Sequence, residues 1–134
     1  MSASFRLVGW LIAAPVGIAM AQGGEQVLAH GKYLMDGVVA CANCHMPRDN
    51  KGQPLFDKGL SGGMRFEESA FIAIAPNITP DVATGIGSWS DAQLAMAIRE
   101  GIRPDGTVIG PPMPIQFYRN ISDADLKAII AFLK

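Results

Sequence analysis

The sequence predicts one small all-α domain, with about three main helices and long loops between them. Three observations predict it. Apolar residues recur at helical spacing in three separate segments, 26–40, 90–100 and 122–134. The stretches between them are rich in the chain's 15 Gly and 9 Pro, giving more loop than a compact domain of 134 residues normally holds. The only two cysteines stand in a single string, Cys41-Ala42-Asn43-Cys44-His45, which can anchor a large group at the centre of so loose a chain.

Length and charge bound the rest. A chain of 134 residues allows one domain. Its 11 Lys and Arg against 12 Asp and Glu leave no excess of cations to displace counterions from phosphates, which argues against nucleic acid as a partner. An apolar fraction of 49% argues equally against a disordered tail. The N-terminus differs from the remainder: Arg6 is followed by an uncharged run from Leu7 to Ala21, shorter than the roughly 20 residues that span a bilayer. It ends in Ala19-Met20-Ala21. A basic start, a short apolar middle and a small-residue exit read as a secretory signal over residues 1–21, leaving a domain at 22–134. An uncleaved anchor is the alternative, and Pro15 and Gly17 speak against it.

Export would normally turn two cysteines into a disulfide. Here their spacing, with His45 next in line, points to c-type haem: each thiol adds to one vinyl group, and the neutral imidazole of His45 is held beneath the iron. The competing readings fit less well. A redox dithiol needs a βαβ context, a zinc site needs four ligands from Cys41, Cys44, His45 and His30 alone, and a plain disulfide leaves His45 unexplained. A flat porphyrin also accounts for the loops, because it supplies apolar surface that side chains would otherwise supply.

The first helix, 26–40, carries Val27, Gly31, Leu34 and Val38 on one face, and Gly31 allows close approach of another helix. The second, 90–100, has Ser90 as N-cap, Gln93 at the capping-box position, Gly101 as stop, and an apolar face of Leu94, Ala97 and Ile98. The third, 122–134, has Ser122 as N-cap, Asp125 as the box acid and Ile121 with Leu126 as a staple. Its buried stripe is Leu126, Ile129, Ile130 and Leu133, with Phe132 beside it. These helices are read as core walls. Between residues 46 and 89 the one apolar run is Phe71-Ile72-Ala73-Ile74-Ala75.

An iron held by His45 has a second axial position. Met35 and Met96 lie within predicted helices as core filler, Met46 cannot reach round the ring, and Met64 sits in a flexible loop. Met113, in Gly110-Pro111-Pro112-Met113-Pro114, is the expected ligand, since prolines fix the backbone around a soft thioether. His30 is the rival. Trp89, Tyr118 and Asn77 carry donors for haem propionates, though each is equally a pocket wall or a loop cap. The Nδ1–H of His45 calls for a carbonyl, with Pro47 and Pro54 in the right stretch. Arg48, Lys51, Lys58 and Arg65 form a mild basic stretch offset by Asp49 and Asp57, read as a solvated mixed-charge loop.

Taken together, Cys41, Cys44 and His45 near the start, Met113-Pro114 downstream and a closing amphipathic helix resemble a class I cytochrome c. More narrowly, Asn77-Ile78-Thr79-Pro80-Asp81 with Thr84-Gly85-Ile86-Gly87 and Trp89 is similar to cytochrome c subunits of periplasmic bacterial dehydrogenases. Those subunits often hold three haem modules, whereas this chain has one C-x-x-C-H string. The resemblance implies the cytochrome c fold around one covalent haem c, with Cys41 and Cys44 as attachment points and His45 and Met113 axial. It implies a periplasmic one-electron carrier that breaks no substrate bonds. It carries over neither a dehydrogenase partner nor a substrate; the expected partners are a redox protein such as a periplasmic dehydrogenase and a downstream oxidase or quinone-linked complex, in an assembly that can be membrane-associated. A five-coordinate sensor or gas-binding haem protein and a permanently docked dehydrogenase subunit are the alternative readings.

Overall fold

The structure is a computed structural model that describes the backbone of residues 16–134 and the side chains of residues 23–134. Most of the leader expected at residues 1–21 lies outside the described residues. Among the described residues, no helix is long and apolar enough to cross a membrane.

The chain opens with helix α1, Val16–Tyr33, which runs into a single π-helical turn, Leu34–Val38. The short helix α2, Ala42–His45, follows, then a 3₁₀ turn at Phe56–Lys58. Strands β1, Arg65–Glu68, and β2, Phe71–Ile74, form an antiparallel hairpin, and helices α3, Asp91–Arg99, α4, Ile115–Tyr118, and α5, Asp123–Leu133, complete the order.

Three differences from the expected all-α domain have local causes. The apolar run at residues 71–75 forms a strand over Phe71–Ile74, with Phe71 opposite Glu68 and Ala73 opposite Phe66. Its alternation leaves Phe71 and Ala73 half-buried and Ile72 and Ile74 exposed. The partner strand, Arg-Phe-Glu-Glu, has a single apolar residue and so carries almost no strand pattern of its own. Secondly, the helix expected at 26–40 switches to π geometry at Leu34. The wider turn buries Leu34 and Met35 but swings Val38 off the face, to 59% exposure. Thirdly, Met96 is exposed rather than core filler, because the buried face of α3 is Leu94 and Ala97.

The core gathers Leu34 and Met35 from the π turn, Ile86 from a loop, Leu94 from α3, and Leu126, Ala128, Ile129, Ile130 and Leu133 from α5, with Ile121 and Phe132 packed against it. Helix α3 has the full capping box: Ser90 Oγ accepts from Gln93 N at 3.2 Å, and Gln93 Oε1 accepts from Ser90 N at 2.8 Å. It ends at Gly101, whose φ of +67° is left-handed backbone that glycine enters without strain. Helix α5 has half a box. Ser122 Oγ accepts from Asp125 N at 3.1 Å, but the Asp125 carboxylate takes the Ser122 hydroxyl and Nε2 of His30 instead of the Ser122 backbone N–H. Arg99 ties the two helices together, donating from Nη1 to the Asp123 carboxylate at 2.8 Å and from Nη2 to the Ile121 carbonyl.

Helix α1 lies along α5, and Gly31 permits it. A Cβ at residue 31 would meet the Ala128 carbonyl oxygen at 2.2 Å and Phe132 Cβ at 2.9 Å. Backbone cannot give way as a flexible side chain can, so Gly31→Ala must part the helices. The expected loss is about 2 kcal/mol, on the order of 10 °C in Tm by calorimetry; an unchanged Tm would mean the helices are not so closely packed.

Candidate haem site

The site begins with a strained residue. Ala40 has φ +49°, a left-handed conformation costing an L-residue roughly 1 kcal/mol, and the turn it makes delivers the chain into α2. Cys41 caps α2, and its carbonyl accepts from Cys44 N and His45 N at 3.2 and 2.9 Å. Positions i, i+3 and i+4 of one turn thus put Cys41, Cys44 and His45 on the wall of one cavity.

That cavity has a volume of about 600 Å³, within the roughly 300–1,000 Å³ range of cofactor sites. The hairpin forms another wall through Phe66, Phe71 and Ala73, while Leu94 and Ala97 of α3 and Leu133 of α5 close the back. Trp89 and the loop at residues 109–114, including Met113, complete the lining.

His45 is buried, at 7% exposure. Its Nδ1 lies 2.8 Å from the Pro76 carbonyl oxygen. A carbonyl only accepts, so Nδ1 carries the proton and Nε2 keeps its lone pair. Burial lowers the pKa of His45, opposed by the Pro76 carbonyl, so the ring is neutral at pH 7 and able to coordinate a metal. The acceptor is neither Pro47 nor Pro54: the Pro47 carbonyl is occupied by Leu55 N at 2.9 Å, and Pro54 is engaged in a bridge with Arg48. Pro76 reaches the ring through a fold-back in which Gly62 N donates to the His45 carbonyl at 2.7 Å, beside the Ala75–Pro76 backbone.

Cys41 and Cys44 are not joined as a disulfide. Burial pushes the Cys41 thiol up to about 11, against its own backbone N–H, with Cys44 adding to the rise. A redox dithiol needs the opposite, a nucleophile with depressed pKa, and among the described residues no strand leads into the C-x-x-C turn. Two unbridged thiols, one oriented imidazole and an apolar cavity instead fit the thioether links and proximal nitrogen of haem c.

The other candidates divide clearly. Of the methionines among the described residues, Met113 alone lines the cavity; Met35 is core, at 2% exposure, and neither Met46 nor Met64 reaches it. His30 is on the outside, its Nε2 at 2.6 Å from Asp125 Oδ1, and does not line the cavity. Trp89 lines it as expected. Tyr118 and Asn77 also line it, and both bond within the protein. The Tyr118 hydroxyl donates to the Val39 carbonyl at 2.7 Å, clamping α4 to the turn before Ala40. Asn77 Nδ2 donates to Thr84 Oγ1 at 2.9 Å while Oδ1 accepts from Thr79 N and Oγ1, so this residue caps its own loop. The Tyr118 hydroxyl hydrogen and one of the two Asn77 N–H groups are thus held within the protein. Arg103, which no local pattern singles out, lines the cavity as well. Three cations of the basic stretch have near partners: Arg48 donates to the Gly52 carbonyl, Lys58 neighbours Asp57 at 3.6 Å, and Arg65 pairs with Glu67 at 2.5 Å.

Tyr118→Phe is expected to destabilise the protein by about 1 kcal/mol at neutral pH, the usual effect of losing one hydrogen bond. Burial, helped by Cys41 and Cys44, holds the Tyr118 phenol up at about 12. A raised folded pKa means stability that is complete below the ordinary tyrosine value near 10 and is lost as pH climbs through 12. The difference in Tm between the two proteins should therefore shrink across that window; a constant difference would place the phenol in solvent.

A family model described as Cytochrome c matches residues 28–134. The chain is 38% identical over 115 residues to a subunit of the nicotinate dehydrogenase of Pseudomonas putida, a match that covers 86% of this chain and 8% of that one. It is 31% identical over 132 residues to the cytochrome c subunit of the quinone alcohol dehydrogenase of Gluconobacter oxydans, covering 92% and 26%. With the gluconate 2-dehydrogenase cytochrome c subunit of Pantoea cypripedii it shares 32% over 111 residues, covering 83% and 23%. The chain thus spans about a quarter or less of each of these relatives. The domain match takes in α2, the hairpin, the Met113 loop and α5 alike, and so this chain belongs to the cytochrome c family, electron carriers that hold haem c and are not themselves catalytic.

Proposed function

We propose that this protein is a periplasmic one-electron relay with a single haem c, linked through Cys41 and Cys44 and ligated by His45 and Met113, passing electrons from a dehydrogenase toward the respiratory chain. The observation that carries the reading is the convergence of those four side chains on one apolar cavity of about 600 Å³. Haem bound there would supply an Fe(III)/Fe(II) couple. The protein's own part is to orient the ligands and to line the cavity. The Pro76 carbonyl fixes the His45 ring and raises its basicity. The proline-bounded loop holds a thioether, a ligand that favours ferrous iron and so a higher potential. Phe66, Phe71, Leu94 and Trp89 give the cavity an apolar wall.

A dehydrogenase as electron donor is supported by relatives named as dehydrogenase subunits, and the single C-x-x-C-H string supports a single haem. Relatives named as cytochrome c subunits also favour a protein docked stably on its dehydrogenase. Export by residues 1–21 accounts for the periplasm. The test is a denaturing gel of the exported protein stained for haem, followed by an absorption spectrum. Haem that stays with the polypeptide and a sulfur–iron charge-transfer band are expected. Colourless protein, or pigment that acidified acetone extracts, would refute the reading. Stability of a dehydrogenase complex at high salt separates the docked subunit from the free carrier.

A further inference from the structure

We infer that Arg103 is the counter-charge for a haem propionate and so helps to set the potential of the bound iron. The inference rests on haem binding in this cavity and concerns a residue outside the ligand set. The cavity wall is apolar or neutral almost throughout, and among the described residues Arg103 is the one Lys, Arg, Asp or Glu side chain that lines it. Haem carries two carboxylates, and a carboxylate is expensive to place beside apolar surface unless it is paired. Of the neutral groups in the wall, the Tyr118 hydroxyl is held by Val39 and one N–H of Asn77 by Thr84, and the remaining N–H donors, that of Trp89 included, can bond a carboxylate but cannot balance its charge.

The loop after α3 is built to hold a guanidinium. Ile102 bridges Val108, Arg103 N donates to the Thr107 carbonyl at 2.9 Å, and Gly106 N closes the turn on the Arg103 carbonyl at 2.9 Å. The side chain is steadied from one end only: Nη1 donates to Thr107 Oγ1 at 3.2 Å and to the Val108 carbonyl at 3.3 Å. A guanidinium has five N–H donors in a rigid fork, so Nε and Nη2 retain the capacity for a planar, two-toothed grip on a carboxylate. Asp105 is the acidic neighbour in the same loop. Its carboxylate already accepts from Thr107 N and Oγ1 at 2.9 and 2.7 Å, and it does not line the cavity.

The consequence is electrical. Ferric haem carries one more positive charge than ferrous, so a fixed cation nearby favours the ferrous form, whereas an uncompensated propionate favours the ferric. The other titratable groups facing the cavity are Cys41 and Cys44, Tyr118 bonded to Val39, and His45. In the loaded protein the first two are thioethers and His45 is a ligand. A pH-dependent potential between about pH 5 and 8 therefore reports the propionates.

The experiment is potentiometric titration of the holoprotein across that pH range for wild type, Arg103→Gln and Arg103→Lys. Arg103→Gln is expected to keep covalent haem but to have a lower midpoint. Its potential should fall more steeply with pH, because the propionate it leaves unpaired ionises within the range. Arg103→Lys keeps the charge and should restore most of the midpoint. If the Gln and wild-type curves superimpose, or if Lys behaves as Gln does, the inference is overturned. Where the Gln variant does not accumulate, the propionate resonances of the wild-type holoprotein supply the answer by NMR. One should stay ionised to lower pH than the other, and two propionates titrating together as free carboxylates would overturn the assignment. Haem staining of each variant separates failure of attachment from failure of this inference.

Discussion

Met113→Ala is expected to lower the reduction potential by a tenth to a few tenths of a volt, within the roughly 0.8 V that axial ligands span, while leaving haem on the polypeptide. The reasoning is one of softness and access. A thioether stabilises ferrous iron, and its removal leaves either water or an open position, both of which favour the ferric form. No other methionine lines the cavity among the described residues, so none can replace it without refolding of the loop. The open position should then bind carbon monoxide rapidly in the reduced protein, which the wild type should resist, and the sulfur–iron band should vanish. Met96→Ala is the control. Met96 is exposed on α3 and does not line the cavity, so its loss should leave potential and ligand binding unchanged. If Met113→Ala retains the wild-type spectrum, the iron has a different sixth ligand. If the wild type itself binds carbon monoxide rapidly and tightly, the five-coordinate sensor is the better description.

What the sequence makes legible is what is local. Ser90 and Gln93 are three residues apart, and their reciprocal cap forms as expected because nothing distant competes for either side chain. Ser122 and Asp125 have the same spacing, yet the Asp125 carboxylate takes the Ser122 hydroxyl and His30, a partner 95 positions earlier that no local pattern reveals, in place of the Ser122 backbone N–H. His30 and Ser122 together hold the Asp125 carboxyl below its ordinary range, His30 contributing most. The same division runs through the site. Cys41, Cys44 and His45 announce themselves within five residues, and the prolines around Met113 mark it as a positioned side chain. The carbonyl that orients His45 belongs to Pro76, thirty-one positions on, and it is supplied by a fold-back that requires the hairpin. The hairpin itself is hidden because β1 carries only Phe66 as an apolar signal. Tyr118 and Asn77 are legible as cavity residues, while the choice among wall, loop cap and propionate donor stays open in the sequence. A donor's availability depends on which carbonyl or hydroxyl lies beside it, and that is a tertiary fact. Arg103 is the converse case, a charged residue in a turn that composition would place in solvent and that the fold turns to the cavity.

Replacing both Cys41 and Cys44 by Ala is expected to remove covalent haem and with it most of the ordered structure. The magnitude follows from the cavity. Without its filler, a cavity of about 600 Å³ lined mainly by apolar side chains is left to water or to inward collapse of its loops, in a domain whose whole stability is ordinarily about 5–15 kcal/mol. The elements that line the cavity are not held by much else. The hairpin has two strands, of which β2 exposes Ile72 and Ile74, and a lone hairpin is marginal in water. Helix α4 is four residues long and clamped chiefly through Tyr118. The contact between α1 and α5 across Gly31 lies on the core side and is the part most able to survive. The expected protein is therefore colourless on a haem-stained gel and retains part of its helical circular dichroism. It should lose the aromatic signal of Trp89 and show no cooperative thermal transition. A double variant that melts cooperatively near the wild-type Tm would show that side chains alone fill this interior, and a porphyrin could no longer be held to organise the fold.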